Sequence, residues 1–141
     1  MPRKRTAPTA QVKRRIFIVD NHPLVRRGLR ALIDPEPDLT VCADAASLED
    51  GLGAIDETRP DLVIADLSLG PDDGLELVKA IRSRHAGLRV LVLTTHDTSR
   101  YVRLAFAAGA NGYVSKQEMT ETLLMAMRSV LRGETYGAPA R

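Results

Sequence analysis

The chain has 141 residues, which suits one domain, and 44% of them are hydrophobic but only 4% are aromatic. Residues 1–15 hold six basic residues and no acidic one, so the net charge of +2 conceals a remainder with 14 basic and 18 acidic residues, formally −4. This mildly acidic body argues against a nucleic-acid-binding surface. The single cysteine excludes an internal disulfide, no apolar run could span a membrane, and no secretory signal follows the basic start. We therefore expect a cytoplasmic protein.

Five short apolar runs alternate with helical patterns along the chain. We predict strands at residues 15–20, 40–43, 62–66, 89–94 and 112–115. The helices that follow them are predicted to begin near Pro23, Ser47, Leu75, Ser99 and Met119. This alternation predicts an α/β fold with a parallel sheet. The first, third and fourth strands are apolar almost throughout, which predicts helices on both sheet faces.

Both ends of the chain are predicted to lie outside this domain. Residues 1–14 are basic, rich in Pro, Thr and Ala and without period, which predicts a disordered arm. The last helix is expected to end at Gly133, and residues 134–141 show no period, which predicts a linker or tail. The predicted domain covers residues 15–133.

Four of the apolar runs end in a polar residue that is useful in phosphoryl chemistry: Asp20, Asp66, Thr94 and Lys116. Ligands of open α/β proteins bind at the carboxyl ends of the strands, so these side chains are expected to meet in one crevice. Paired carboxylates suit Mg²⁺, and a carboxylate can also attack phosphorus. Any one of them alone is more often a cap or a solvated group, but all four together favour a phosphoryl site. His22 is interpreted as a loop residue near the first helix rather than as a ligand.

Four segments in order resemble the receiver domain of two-component response regulators: IFIVDNHPLVRRGL, DLVIADLSLGPDDGLEL, VLVLTTHD and AAGANGYVSK. The resemblance covers about residues 15–133. The start DNHPLVRRGL and the pair Lys116-Gln117 are similar to the NarL/FixJ subfamily, whose members usually carry a LuxR-type helix-turn-helix after the receiver. The resemblance implies a flavodoxin-like, CheY-like sheet with strand order 2-1-3-4-5.

The resemblance also implies a role for each residue of the phosphoryl site. Asp66 would be the phosphoacceptor, and Lys116 would neutralise the phosphoryl group. Thr94 would bind that group and reorient on activation, and Tyr113 would be the aromatic residue of the switch.

The Mg²⁺ site implied by the resemblance contains Asp20, Asp66 and the backbone carbonyl of Ser68. The family usually has two acidic residues after the first strand, but this chain has Asp20-Asn21. Asn21 offers an oxygen without a charge, so we hypothesise weaker Mg²⁺ binding than in typical receivers. A second departure, Gly70-Pro71, is interpreted as a local variation of the loop after Asp66.

The resemblance implies a sensor histidine kinase as phosphodonor, a homodimer on phosphorylation, and DNA contact only through a C-terminal helix-turn-helix domain that these residues do not include. The protein would not be an enzyme beyond self-phosphorylation and slow autodephosphorylation. Two alternatives stay open. One is a degenerate receiver that acts as an unphosphorylated interaction module, and the other is a phosphatase of the haloacid dehalogenase type. The second Asp of that phosphatase motif is missing from Asp20-Asn21-His22.

Overall fold

The structure, a computed structural model, describes residues 12–67, 73–95 and 99–138. Its strands are β1 (Arg14–Val19), β2 (Leu39–Ala45), β3 (Leu62–Asp66), β4 (Arg89–Thr94) and β5 (Gly112–Ser115). Its helices are α1 (Pro23–Ile33), α2 (Leu48–Thr58), α3 (Asp73–Arg84), α4 (Ser99–Ala108) and α5 (Met119–Leu131). A 3-10 turn over Lys116–Glu118 joins β5 to α5. The predicted arm falls mostly on residues 1–11, which lie outside the described ranges.

All five strands are parallel and lie in the order β2-β1-β3-β4-β5, which confirms the predicted topology. The strand order changes direction at β1. From β1 the chain runs first to β2 on one side and then to β3 on the other side. Val19 of β1 pairs with Ala65 of β3. The residues that follow that pair, Asp20 and Asp66, therefore reach the same edge of the sheet together.

The core has two halves, one on each face of the sheet, as the apolar strands predicted. Successive side chains of a strand point to opposite faces, so Phe17 and Val19 pack on one side and Ile16 and Ile18 on the other. The first half is covered by α2, α3 and α4, and the second by α1 and α5. Each fully buried Ile or Leu contributes roughly 1.5–3 kcal/mol of transfer free energy, so both layers stabilise the sheet edge that carries the polar residues.

The ends of α2 follow from local sequence. Ser47 lies just before the helix, and its Oγ accepts a hydrogen bond of 3.2 Å from the backbone N–H of Asp50, as the capping pattern predicted. At the other end Arg59 takes a left-handed conformation with φ of 50°, and Pro60 prevents the helix from continuing.

Strand β2 is longer than the predicted 40–43. Its outer residues pair with β1, where Leu39 lies opposite Arg14 and Ala45 opposite Val19. Asp44 interrupts the apolar pattern, but main-chain pairing does not depend on side-chain polarity, so the strand continues through it.

Residues 134–138, assigned to a linker by sequence, lie against the outer edge of β5. The N–H of Tyr113 donates to the carbonyl of Tyr136 at 2.9 Å, and the N–H of Tyr136 donates to the carbonyl of Asn111 at 3.1 Å. The Tyr136 side chain packs on the α1/α5 half of the core. In the described part of the chain no helix has the length and apolar character needed to cross a membrane.

Candidate functional site

Two buried carboxylates and one ammonium form the centre of the site. Asp20 and Asp66 are each only 1% exposed. Lys116 Nζ lies 3.3 Å from Asp20 Oδ2 and 3.3 Å from Asp66 Oδ2. The structure thus brings together three of the four strand-end residues at ion-pair distance, with a formal charge of −1.

Three hydrogen bonds hold Asp20 in place, two at its main chain and one at its carboxylate. Its N–H donates to the carbonyl of Ala45 at 3.0 Å, and its carbonyl accepts from the Arg26 guanidinium at 2.6 Å. The Asp20 Oδ1 atom accepts from the N–H of His22 at 2.8 Å. These contacts fix the carboxylate in one orientation toward Asp66 before any ligand arrives.

The surroundings of the Asp20 Oδ2 atom indicate a cation site. It is buried, and no donor in the described ranges hydrogen-bonds to it, although Lys116 lies near. A buried carboxylate oxygen without a hydrogen bond is costly. An oxygen-rich, negatively charged cluster of this kind fits a hard divalent cation such as Mg²⁺.

His22 lies closer to the site than its interpretation as a loop residue suggested. It precedes α1, and its Nδ1 atom is 3.0 Å from Asp20 Oδ1 and 3.8 Å from Asp66 Oδ2. The potential ligand atoms of these three residues lie within 4.8 Å of one another. The signal in the sequence is that His22 follows Asp20 by two residues. A residue at this spacing belongs to the turn between β1 and α1, so its side chain lies beside the end of the strand.

Thr94 and Tyr113 lie on the same face of the sheet. Thr94 is fully buried at the end of β4. Two residues earlier, Val92 packs in the half of the core that contains Tyr113, and Val92 and Tyr113 are partners in the β4–β5 ladder. Because alternate residues share a face, the Thr94 side chain is directed to that same layer. The Tyr113 ring is 8% exposed and belongs to the layer covered by α4.

The remaining predicted metal-site residues are Asn21 and Ser68. Asn21 is exposed. Ser68 and Gly70-Pro71 lie outside the described residues. The start of α3 nevertheless approaches the strand end closely, because a Cβ on Gly74 would meet the Leu67 Cα and lie 2.8 Å from the Asp66 carbonyl oxygen. Glycine at this position therefore lets α3 pack directly beside Asp66.

The structure is an open, parallel α/β sheet with an acidic site at the carboxyl ends of its strands, and comparison with known proteins identifies its class. Residues 16–128 match the response regulator receiver domain family, and the chain belongs to that family. Its relatives are of the NarL/LuxR type. A nitrate/nitrite response regulator protein homolog of Haemophilus influenzae is 33% identical over 88% of this chain and 60% of its own length.

Two further relatives agree with this placement. DevR/DosR, a DNA-binding transcriptional activator of Mycobacterium tuberculosis, is 35% identical over 86% of this chain and 56% of its own. The crystal structure of a LuxR-family two-component response regulator from Aurantimonas sp. SI85-9A1 is 38% identical, with a TM-score of 0.85 and coverage of 91% of both chains. The chain thus spans a little over half the length of the curated relatives that it matches.

Proposed function

We propose that this domain takes a phosphoryl group from a sensor histidine kinase onto Asp66. The observation that carries this proposal is the position of Lys116 Nζ, at 3.3 Å from both buried carboxylates. A carboxylate oxygen of Asp66 attacks the phosphorus of the donor phosphohistidine and the P–N bond breaks. The electron pair returns to the imidazole, which takes up a proton. The product is an acyl phosphate on Asp66.

The residues that would hold Mg²⁺ are Asp20 and Asp66, together with the Ser68 carbonyl and Asn21. When bound, the ion would offset the negative charge of the incoming phosphoryl oxygens. Lys116 supplies a fixed positive charge to the same oxygens, and its contact with Asp20 keeps the ammonium beside the acceptor. Asp20 in turn is oriented by the N–H of His22.

The proposed response to phosphorylation passes through Thr94 and Tyr113. The new group adds charge and strong acceptors beside the end of β4. Thr94 reorients toward it, and the space next to Tyr113 in the layer under α4 changes. A difference of a few kcal/mol between the two arrangements is enough to shift their populations.

The proposed consequence of the switch is dimerisation and control of transcription. DevR/DosR is a DNA-binding transcriptional activator, and this chain covers only 56% of its length. By analogy, DNA contact would belong to a C-terminal helix-turn-helix domain of the whole protein.

A second candidate function is an unphosphorylated interaction module. Asn21, in place of the family's usual acidic residue, favours it, because one charge of the cation site is missing. The receiver would then keep its fold and bind its partner without forming an acyl phosphate, and Asp66→Asn would keep the biological function.

Treatment with Mg²⁺ and acetyl phosphate, read by intact mass, tests the proposal. We expect the wild-type chain to gain one phosphoryl group and Asp66→Asn to gain none. Asp44→Asn is the matched control, because Asp44 lies at the same edge but pairs with Arg26 and Arg30. Labelling of Asp66→Asn, or no labelling of the wild type, would refute the assignment of Asp66.

A further inference from the structure

A cavity of about 480 Å³ lies at the amino edge of the sheet, at the opposite end of the strands from Asp66. The cavity is open to solvent, and its volume falls in the range of ligand-binding clefts. The start of β1, the α2–β3 loop, the α3–β4 loop and the end of α5 border the cavity. Its charged lining consists of Arg14, Arg59, Arg89 and Asp61.

The charge of this lining is not balanced. Three guanidiniums stand against one carboxylate, and Asp61 Oδ2 already accepts a hydrogen bond of 2.7 Å from the backbone N–H of Arg15. His85 also lines the cavity, but its Nε2 atom is paired at 2.7 Å with Asp56. The same carboxylate is bound by Arg84 at 2.7 Å. The lining therefore keeps an excess of positive charge, which is available to an anionic ligand.

Arg14 lines the cavity, and its guanidinium forms no ion pair with a carboxylate of the described residues. One of its terminal nitrogens donates to the carbonyl of Leu131 at 3.3 Å, which is a neutral acceptor. An anionic oxygen in the cavity would pair with this guanidinium by a charge-assisted hydrogen bond.

The surrounding arginines strengthen the positive field. The Arg15 side chain donates to the carbonyls of Thr58 and Arg59. Because these acceptors are uncharged, the positive charge of Arg15 is not neutralised by them. Arg82 likewise donates to the carbonyl of Gly109 at 2.6 Å. Burial, together with the positive charge of Arg89, lowers the pKa of the Arg82 guanidinium. Cations are thus crowded at this end of the fold.

We propose that this cavity is a second binding site, for a small organic phosphate. Arg14, Arg59 and Arg89 would surround the phosphate. The apolar part of the ligand would lie on the half-buried aliphatic side chains of the lining, Leu88 and Leu131. The site is separate from Asp66 and does not depend on the proposed phosphorylation.

Titration of the 141-residue chain with adenosine 5′-monophosphate, followed by ¹H–¹⁵N NMR and calorimetry, tests the proposal. We expect the shifted amides to cluster at the lining residues rather than around Asp66. Adenosine tests the apolar contact without the phosphate, and inorganic phosphate tests the anion alone. Adenosine is expected to bind at least about tenfold more weakly than the monophosphate, because it lacks the charge-assisted contacts of the phosphate. Inorganic phosphate is expected to bind at least about tenfold more weakly, because it lacks the apolar contact.

Arg59→Gly is the most informative variant. Because Arg59 has φ of 50°, glycine relieves the backbone there, so the variant is expected to be at least as stable as the wild type. Its affinity for the monophosphate should fall about tenfold. Arg89→Gln is a second loss-of-charge variant at the start of β4, and exposed Arg27→Gln on α1 is the control with the same charge change.

Equal affinities for the monophosphate in Arg59→Gly, Arg89→Gln and Arg27→Gln would overturn the proposal. So would shifts confined to other surfaces, absence of binding at millimolar ligand, or adenosine or inorganic phosphate binding as tightly as the monophosphate.

Discussion

The Lys116 ammonium reaches across β4 to lie 3.3 Å from the Asp66 carboxylate, although the two residues end strands that do not pair with each other. The lysine side chain is 13% exposed and the aspartate 1%. At this depth the pair is weakly screened by solvent, so its electrostatic interaction is stronger than that of a surface ion pair.

Lys116→Met is expected to destabilise the fold and to change its response to Mg²⁺. Removing one partner of a buried ion pair costs about 3–5 kcal/mol, because the remaining carboxylates are left without the ammonium. Added Mg²⁺ should therefore raise the Tm of the variant more than that of the wild type. Thermal unfolding with and without Mg²⁺ measures this, with Lys79→Met on the exposed face of α3 as the control. Equal responses to Mg²⁺ would contradict the prediction.

Asn21→Asp is expected to bind Mg²⁺ more tightly. The substitution adds one negative charge beside Asp20. Its attraction to Mg²⁺, partly screened by solvent, is worth at most a few kcal/mol, from which the cost of desolvating the new carboxylate is subtracted. Calorimetric titration should show an affinity increase of about tenfold. Lys79→Met, on the exposed face of α3, makes the same change in net charge away from Asp20 and is the control. Identical affinities of wild type and Asn21→Asp would remove the charge explanation.

Thr94→Ala is expected to separate phosphorylation from the conformational response. Asp66 remains in place, so labelling by acetyl phosphate should continue. The hydroxyl that would follow the phosphoryl group is absent, so the phosphorylation-dependent shift toward dimer should fall about tenfold. Light scattering after size-exclusion chromatography measures the shift, and Thr94→Ser should restore it. A full dimer shift in Thr94→Ala would contradict the proposed switch.

Gly74→Ala is expected to disturb the strand end that carries Asp66. The added methyl group would overlap the Leu67 backbone, which cannot move without moving the strand end. Overpacking of this kind costs about 1–3 kcal/mol. Gly28→Ala is the control, because nothing lies within 4 Å of its Cβ position, and it should stabilise α1 slightly. Denaturant unfolding of both variants measures the contrast, and equal stabilities would show that the loop absorbs the methyl group.

The contact between α5 and the α1–β2 loop predicts a pH dependence of stability. A hydrogen bond from Arg128 holds the pKa of the Asp38 carboxyl below its ordinary value. A depressed folded pKa stabilises the fold above the unfolded pKa of about 3.9, and this contribution is lost as the pH falls through the folded value. Asp38→Asn should therefore cost up to about 1 kcal/mol at neutral pH and nothing once the carboxyl is protonated in both states.

Urea unfolding of wild type and Asp38→Asn between neutral and acidic pH measures this difference. Asp50→Asn, near the start of α2, is the comparison at a site without that arginine. A difference in unfolding free energy that does not shrink toward acidic pH would contradict the role of the ion pair.

The alternating strand and helix pattern was enough to predict the sheet, its two covered faces and the polar residues at its edge. Ile16 to Val19 illustrate why, since every residue of that run is apolar and both faces of the strand are buried. Strand order followed from the resemblance of the motifs, and the observed pairing confirms it.

Other features depend on contacts between residues far apart in the chain, and sequence patterns do not report such contacts. Tyr136 pairs beside β5, although its segment has no hydrophobic period and the sequence therefore predicts a linker or tail there. The arginine cavity is likewise assembled from four separate segments.

The sequence by itself determined which residues end the strands, because the hydrophobic period sets the strand ends and the polar residues follow them. Only the tertiary structure decided that Asp20, Asp66 and Lys116, which the sequence places in one crevice, lie within ion-pair distance and that His22 joins them. The physical reason is that strand pairing brings the carboxyl ends of β1, β3 and β5 to one edge, where a long lysine side chain crosses β4 to two buried charges.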